Sequence, residues 1–444
     1  MAGKRENFGS RWAVILAMAG SAIGLGNIWR FPYMVGEHGG SAFIIIYIIA
    51  TALVSLPVFI AEVVIGRRSR LGAYSAMATL RPGRKIWKFA GFLSVFTPFV
   101  ICSYYSVIGG WSLDYMMQAL TGTFVKTSSE QVTGLFNIFM TSLWKPVVAH
   151  LVFLAICCYI VSNGVKTGIE KFSKISIPVL FVLIIFMICY SVTLPGAGEG
   201  IRYMVKPDFS QIDAKSLAYA LGQSFYSLSL GMGAILTYGS YVSEEENIVA
   251  SSAGTAVSDL LFAILAGLAI MPAVFAAGIE PGAGPGLIFQ SIPYIFSTMG
   301  EELPVISTVI SVAFFVTIVV AAMTSCISLV EVGASFLKER FGMSRKKAVV
   351  CIFIICGVLG IVCALDGMVF DVCDWFCSNI LLLLLAGLVV VFVGFILKKD
   401  EVFDEITNGG ARKGNAILFP IIYFLIKWVA PIAIVAILIT NFIG

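Results

Sequence analysis

Two stretches set glycine beside small oxygen-bearing side chains in the middle of long apolar runs. The first reads Gly20-Ser21-Ala22-Ile23-Gly24-Leu25-Gly26-Asn27 and the second Ser227-Leu228-Ser229-Leu230-Gly231-Met232-Gly233. Glycine at this density weakens a helix. A helix interrupted inside a membrane frees backbone carbonyls and amides, which are tolerated only where they face a ligand or a cavity. The chemistry on offer is recognition of ions: carbonyl and hydroxyl oxygens replace the water shell of a hard cation, and the amide ends of half-helices hold a carboxylate. For one glycine cluster alone, close helix packing through small residues is the competing reading. A later apolar run adds the Thr324-Ser325 pair, whose hydroxyls by themselves more often back-bond within a helix.

Little else in the chain suggests chemistry. There is no nucleophile elbow, phosphate-binding loop or dinucleotide fingerprint, and His38 and His150 are the only histidines. No enzymatic activity is therefore expected. The ten cysteines lack zinc spacing and sit almost entirely in apolar runs, where thiols behave as small buried hydrophobes.

The elements that position these residues are membrane helices. Hydrophobic residues make up 59% of the 444 residues and charged ones 12%, about half the share of a soluble domain; mean hydropathy is +0.98. Apolar runs long enough to span a bilayer (about 20 residues) predict eleven spans, at 12–36, 42–66, 88–122, 145–162, 172–194, 215–242, 251–278, 304–340, 346–365, 372–397 and 416–442. Most lysines and arginines fall in one set of alternating connections, while only Lys126, Lys145, Arg202, Lys206 and Lys215 fall in the other. The positive-inside bias then predicts a multi-pass protein of the plasma (inner) membrane with a cytoplasmic N-terminus and, after eleven spans, an external C-terminus. The net charge of +4 reads as topology, with no nucleic-acid partner implied.

The spans divide into two sets of five, offset by about 203 residues, and the glycine-broken helix comes first in each set. An odd number of spans makes the second set enter from the opposite side, which predicts an inverted repeat. The expected organisation is a first repeat over 1–194, an extracellular connection at 195–214, a second repeat over 215–397, and a cytoplasmic loop with the eleventh helix over 398–444. Paired breaks at repeat-related positions point to a transport site. Gly168 and Pro178 frame the entry of the fifth span, as a loop-to-helix turn or as a segment that unwinds.

Arg11-Trp12 together with Gly24-Leu25-Gly26-Asn27-Ile28-Trp29-Arg30-Phe31-Pro32-Tyr33 closely resembles the first helix of the neurotransmitter:sodium symporter family. Gly39-Gly40-Ser41-Ala42-Phe43, Gln223-Ser224-Phe225-Tyr226-Ser227-Leu228-Ser229-Leu230-Gly231 and Thr324-Ser325 follow at the family's spacing. The resemblance runs from about residue 4 to the end. It implies the all-α leucine-transporter fold of the eleven-span bacterial type, with discontinuous helices 1 and 6, and a sodium-driven symporter of hydrophobic or aromatic L-amino acids working by alternating access.

The resemblance also implies site residues. One sodium would be held by Ala22, Asn27 and Ser227, with Ser258 in the aligned column on the seventh span and Asp259 there after a one-residue shift. A second would be held by Gly20, Ile23, Ala321, Thr324 and Ser325. All are hard oxygen donors. Asp259 is expected to supply the fixed negative charge that chloride supplies in other relatives, so no chloride requirement is expected. The substrate pocket would comprise Ser21, Ala22, Gly26, Ile101, Tyr105, Tyr226, Ser227, Ser229, Met232, Ser325 and Leu329. Its apolar end favours a hydrophobic or aromatic L-amino acid, and Gly24 stands where amine carriers place an acid. Arg30 with Asp374 resembles an outer latch over Tyr105 and Tyr226, and Arg5 with Glu339 an inner latch backed by Ser240 and Tyr241. Phe8 stands in place of a usual tryptophan, and Glu331 adds a carboxylate near the inner gate. The expected partners are the amino acid and the bilayer; the oligomeric state stays open, a monomer included. A substrate-sensing receptor on the same fold is the alternative.

Overall fold

The computed structural model describes residues 6–132, 134–278 and 287–443, and among these the secondary structure is helical with no strand. Among the described residues nine helices are long and apolar enough to cross a membrane: Ser41–Ser69, Lys85–Leu120, Lys145–Ser162, Val165–Ser191, Ile248–Ala276, Pro304–Phe341, Arg345–Leu365, Gly367–Ile396 and Lys413–Asn441. They coincide with expected spans 2 to 5 and 7 to 11. Span 1 is a pair, Arg11–Ala22 and Gly26–Glu37, bent by 56° at the break. Span 6 is Ala214–Ser227 and Ala234–Gly239, and neither piece is long enough to cross alone. Ten of the eleven expected spans are thus found as crossings by length and composition, and the other is a helix broken where its glycines predict.

The breaks have local causes. In span 1 the chain leaves helix at Ile23, with φ −69° and ψ 102°. In span 6, Ser229, Gly231 and Gly233 all take positive φ, which for Ser229 is uncommon outside constrained sites. Gly231 has no alternative: a Cβ there would lie 2.0 Å from the Leu382 carbonyl oxygen. The freed amide is not left bare, because Gly231 N donates to Glu62 Oε1 on span 2 at 2.8 Å. Gly231→Ala is therefore expected to prevent folding or cost roughly 3 kcal/mol or more, read as loss of monodisperse protein on extraction.

Spans 3 and 8 pack along their lengths, with spans 4 and 9 against them. Span 1 lies against spans 5, 7 and 8, so its break sits inside the bundle. Span 11 packs on span 10 at the periphery, and only 22% of its apolar window is buried. At the end rich in arginine, Arg67 and Arg68 from span 2 and Arg81 beyond it pair with Glu405 and Glu401, clasping a short helix, Lys399–Thr407. All ten cysteines are free.

Candidate functional site

The two breaks face each other. Ser229 Oγ donates to the Ser21 carbonyl at 2.7 Å, and Gln223 Nε2 to the Gly26 carbonyl at 3.1 Å. Around this junction lie three clusters.

The first centres on Asp259. Its Oδ1 accepts from Asn27 Nδ2 at 2.7 Å, and its Oδ2 from Ser227 Oγ at 2.7 Å and Tyr47 OH at 3.4 Å. Asn27 Nδ2 also reaches Ser227 Oγ at 3.0 Å, while Asn27 Oδ1 accepts from Gly24 N. Asn27, Ser227 and Asp259 are buried. Among the described residues the carboxylate is held by neutral donors, with no lysine or arginine in ion-pair reach. A buried charge needs an opposite charge or a proton, so this cluster is chemically suited to a cation. Of the two candidates on span 7, Asp259 joins this cluster, whereas the Ser258 hydroxyl donates to the Gly254 carbonyl at 2.8 Å, one turn back on its own helix.

The second centres on Thr324. Its Oγ1 contacts the Ile23 carbonyl at 3.0 Å and the Ala321 carbonyl at 2.8 Å, and Gly20 lies close enough that an added Cβ would sit 3.6 Å from Thr324 Cβ. Gly20, Ile23, Ala321 and Thr324 are therefore together. The hydroxyl of the next residue, Ser325, donates to the Ser21 carbonyl at 3.1 Å, and Ser325 also lines the third cluster.

The third is a small, partly open cavity between the two breaks. Ala22, Gly24, Gly26, Ile101, Tyr105, Tyr226, Ser227, Ser229, Met232, Ser325 and Leu329 line it. These are all the expected pocket residues except Ser21, whose hydroxyl turns to Ser328, with Gly24 in addition. Leu25 N donates to Tyr105 OH at 3.3 Å, so a phenol and a helix-start amide meet at one wall. Ile101, Met232 and Leu329 make the other wall apolar. An acid in place of Gly24 would put its Cβ 2.3 Å from Ser325 Oγ, so the Ser325 hydroxyl would have to turn away.

Tyr226 and Gly26 line both this cavity and a wider vestibule at the end away from the arginine clasp, so the Tyr226 ring is the partition between them. Arg30 and Asp374 both face the vestibule, yet the expected outer latch is not closed: no ion pair joins them, and the Arg30 guanidinium sits 4.8 Å from the Tyr226 ring centre. Phe370 and Asp374 come from span 10, and spans 1 and 6 supply the floor.

The basic end is shut. Phe8 N donates to the Tyr241 carbonyl at 3.0 Å, and the Phe8 ring stands edge-on to Tyr238 and Tyr241. Gly9 N donates to Glu170 and Val165 N to Glu6, tying the N-terminal segment to span 5. Arg5 of the expected inner latch lies outside the described residues; Glu339 accepts from Gly72 N at 2.8 Å and from Ser335 Oγ. Glu331 is fully buried, accepts from Tyr241 OH at 2.5 Å and pairs with Arg345. Sequence reading singled out neither Arg345 nor Glu62. The available signal for Glu62 is an isolated carboxylate in the apolar run Leu56–Ile65; for Arg345 there is none beyond a basic span end. Glu331→Gln is expected to leave Arg345 buried without its counter-charge and to loosen this end, read as faster alkylation of a cysteine introduced at Ser240.

The model of the family described as the sodium:neurotransmitter symporter family matches residues 5–135 and 139–444. A sodium-dependent transporter of Bacillus subtilis (strain 168), YhdH, is 35% identical, covering 99% of this chain and 98% of its own. The sodium- and chloride-dependent taurine transporter of Homo sapiens is 26% identical over 96% of this chain and 79% of its own. Among solved structures, that of MhsT in complex with L-phenylalanine superposes with a TM-score of 0.90 at 36% identity, covering 99% of this chain and all of that one. With two facing broken helices, a buried carboxylate set for a cation and a small cavity between them, the chain belongs to the sodium:neurotransmitter symporter family and is a sodium-dependent, multi-pass membrane transporter.

Proposed function

We propose that this transporter carries hydrophobic or aromatic L-amino acids inward with two sodium ions and without chloride. The observation that carries the reading is the cavity itself: a phenol and a freed amide at one wall, apolar side chains at the other, and no charged side chain in the lining. The substrate carboxylate would sit by Tyr105 and the amides of the span 1 break, beside the cation held by Ala22, Asn27, Ser227 and Asp259. Its ammonium would meet the carbonyls of the two breaks. Coupling follows because the carboxylate and the first sodium each lower the cost of desolvating the other. The second sodium, at Gly20, Ile23, Ala321 and Thr324, would pin span 1 to span 8; its departure frees the inner half of span 1 to swing. MhsT was solved with L-phenylalanine, which supports an aromatic substrate here.

In this reading the arginine-rich end is cytoplasmic, and the structure represents a state closed inward, with its outer vestibule reaching down to Tyr226. Each sodium entering then gains about 2.3 kcal/mol per 100 mV of membrane potential. The test is a thermal-shift screen of the twenty amino acids in sodium against potassium, because a ligand that binds the native state raises its stability. Aromatic and large aliphatic amino acids should raise the melting temperature in sodium only. Stabilisation by charged amino acids, or equally in potassium, would count against the proposal.

A further inference from the structure

Span 3 carries a polar group that the transport site does not use. Tyr104 precedes Tyr105 of the cavity wall and lies one turn before Ile108, which lines the vestibule. It is 1% exposed, and among the described residues its hydroxyl has no hydrogen-bond partner. Other buried tyrosines are satisfied. Tyr47 OH donates to Asp259 at 3.4 Å, Tyr115 OH to the Phe289 carbonyl at 3.0 Å and Tyr241 OH to Glu331 at 2.5 Å. A buried donor left bare costs free energy, and folded proteins keep few of them.

The group facing this hydroxyl gives it a use. The Tyr104 ring stands edge-on to Phe370, with ring centres 5.7 Å apart. Asp374 follows Phe370 by four residues on the same helix of span 10, which is about one turn. Of the charged groups acting on the Tyr104 hydroxyl, the Asp374 carboxylate comes first, yet no hydrogen bond of normal geometry joins the two. Asp374 is half-buried and lightly held: its Oδ1 accepts from Ser378 Oγ at 3.2 Å, while Arg30 lies over the Tyr226 ring. A bare donor and a loosely held carboxylate thus sit side by side on two spans that line the vestibule.

We propose that Tyr104 is a positioning residue of the outer gate: its hydroxyl takes up the Asp374 carboxylate when the vestibule closes and holds it toward Arg30. The movement needed is small, because Phe370 already packs on Tyr104 and on Trp111 of span 3. A phenol is a neutral donor, so it orients the carboxylate and leaves its charge for the guanidinium. The open state carries an unpaired hydroxyl that the closed state satisfies, which biases the gate toward closing. The inference rests on the reading that this vestibule closes over a bound amino acid.

Tyr104→Phe keeps the ring and removes only the hydroxyl. In the purified full chain without amino acid, the variant should melt at the same temperature as the unchanged protein or higher, because the lost hydroxyl was unpaired. The rise in melting temperature on adding sodium alone should also be unchanged. Labelled L-leucine or L-phenylalanine bound in sodium should leave the variant about tenfold faster, the worth of one hydrogen bond to a charge. With Asp374→Ala already in place, Tyr104→Phe should change release little further, whereas a purely structural role would speed it in both backgrounds. Release unmoved by Tyr104→Phe, release moved equally without the Asp374 carboxylate, or a lower melting temperature without amino acid overturns the role of Tyr104 alone. Absence of sodium-dependent binding of either amino acid to the unchanged protein overturns the closing reading and this role together.

Discussion

Replacing Asp259 by serine is expected to abolish sodium-driven uptake in chloride-free medium and to restore it when chloride is added. The carboxylate is fully buried, and its neighbours Asn27, Ser227 and Tyr47 are neutral donors. At an effective dielectric constant of about 20, a unit charge about 5 Å from a cation contributes about 3 kcal/mol, which is about a hundredfold in binding. Serine removes that charge and leaves three donors pointing into the space, a set that suits a halide. The wild type should transport equally in chloride and gluconate. A wild-type rate that tracks chloride, or a serine variant indifferent to it, sinks the assignment of Asp259 as the fixed charge.

Thr324→Val is expected to raise the sodium concentration for half-maximal transport roughly thirtyfold, a loss of about 2 kcal/mol for one oxygen contact to a charge. Valine keeps the shape but removes the hydroxyl that meets the Ile23 and Ala321 carbonyls. Span 1 would lose one of its ties to span 8, so cysteine accessibility at the arginine-rich end should rise even in saturating sodium. The substrate affinity, measured at sodium high enough to fill both sites, should change little, because Thr324 does not line the cavity. A variant with normal sodium dependence would remove Thr324 from ion binding.

The sequence shows most of the plan of this site and less of its detail. Hydropathy locates the spans, and paired glycines locate the breaks, because backbone exposure in a membrane leaves few alternatives. What sequence does not carry is side-chain direction. Ser258 and Asp259 are neighbours on one helix, about 100° apart around its axis, and only the fold decides which faces Asn27. Ser325 looks like a partner of Thr324 by adjacency, yet its hydroxyl turns to the Ser21 carbonyl. Latches are harder still: Arg30 and Asp374 share a vestibule without pairing, because a gate's state is a conformational choice and not a property of residue type. Glu331 was visible as an added carboxylate, but its partner Arg345 was not, since the pairing depends on how spans 8 and 9 meet.

The central claim, an amino-acid symporter driven by sodium, is tested most directly in proteoliposomes loaded with potassium gluconate and diluted into sodium gluconate with labelled L-phenylalanine or L-leucine. The account predicts uptake above equilibrium that collapses when the sodium gradient is dissipated, and exchange of label when unlabelled amino acid is placed inside. Binding of amino acid with neither uptake nor exchange would instead make this chain a receptor on a transporter fold, and uptake indifferent to the sodium gradient would contradict the coupling.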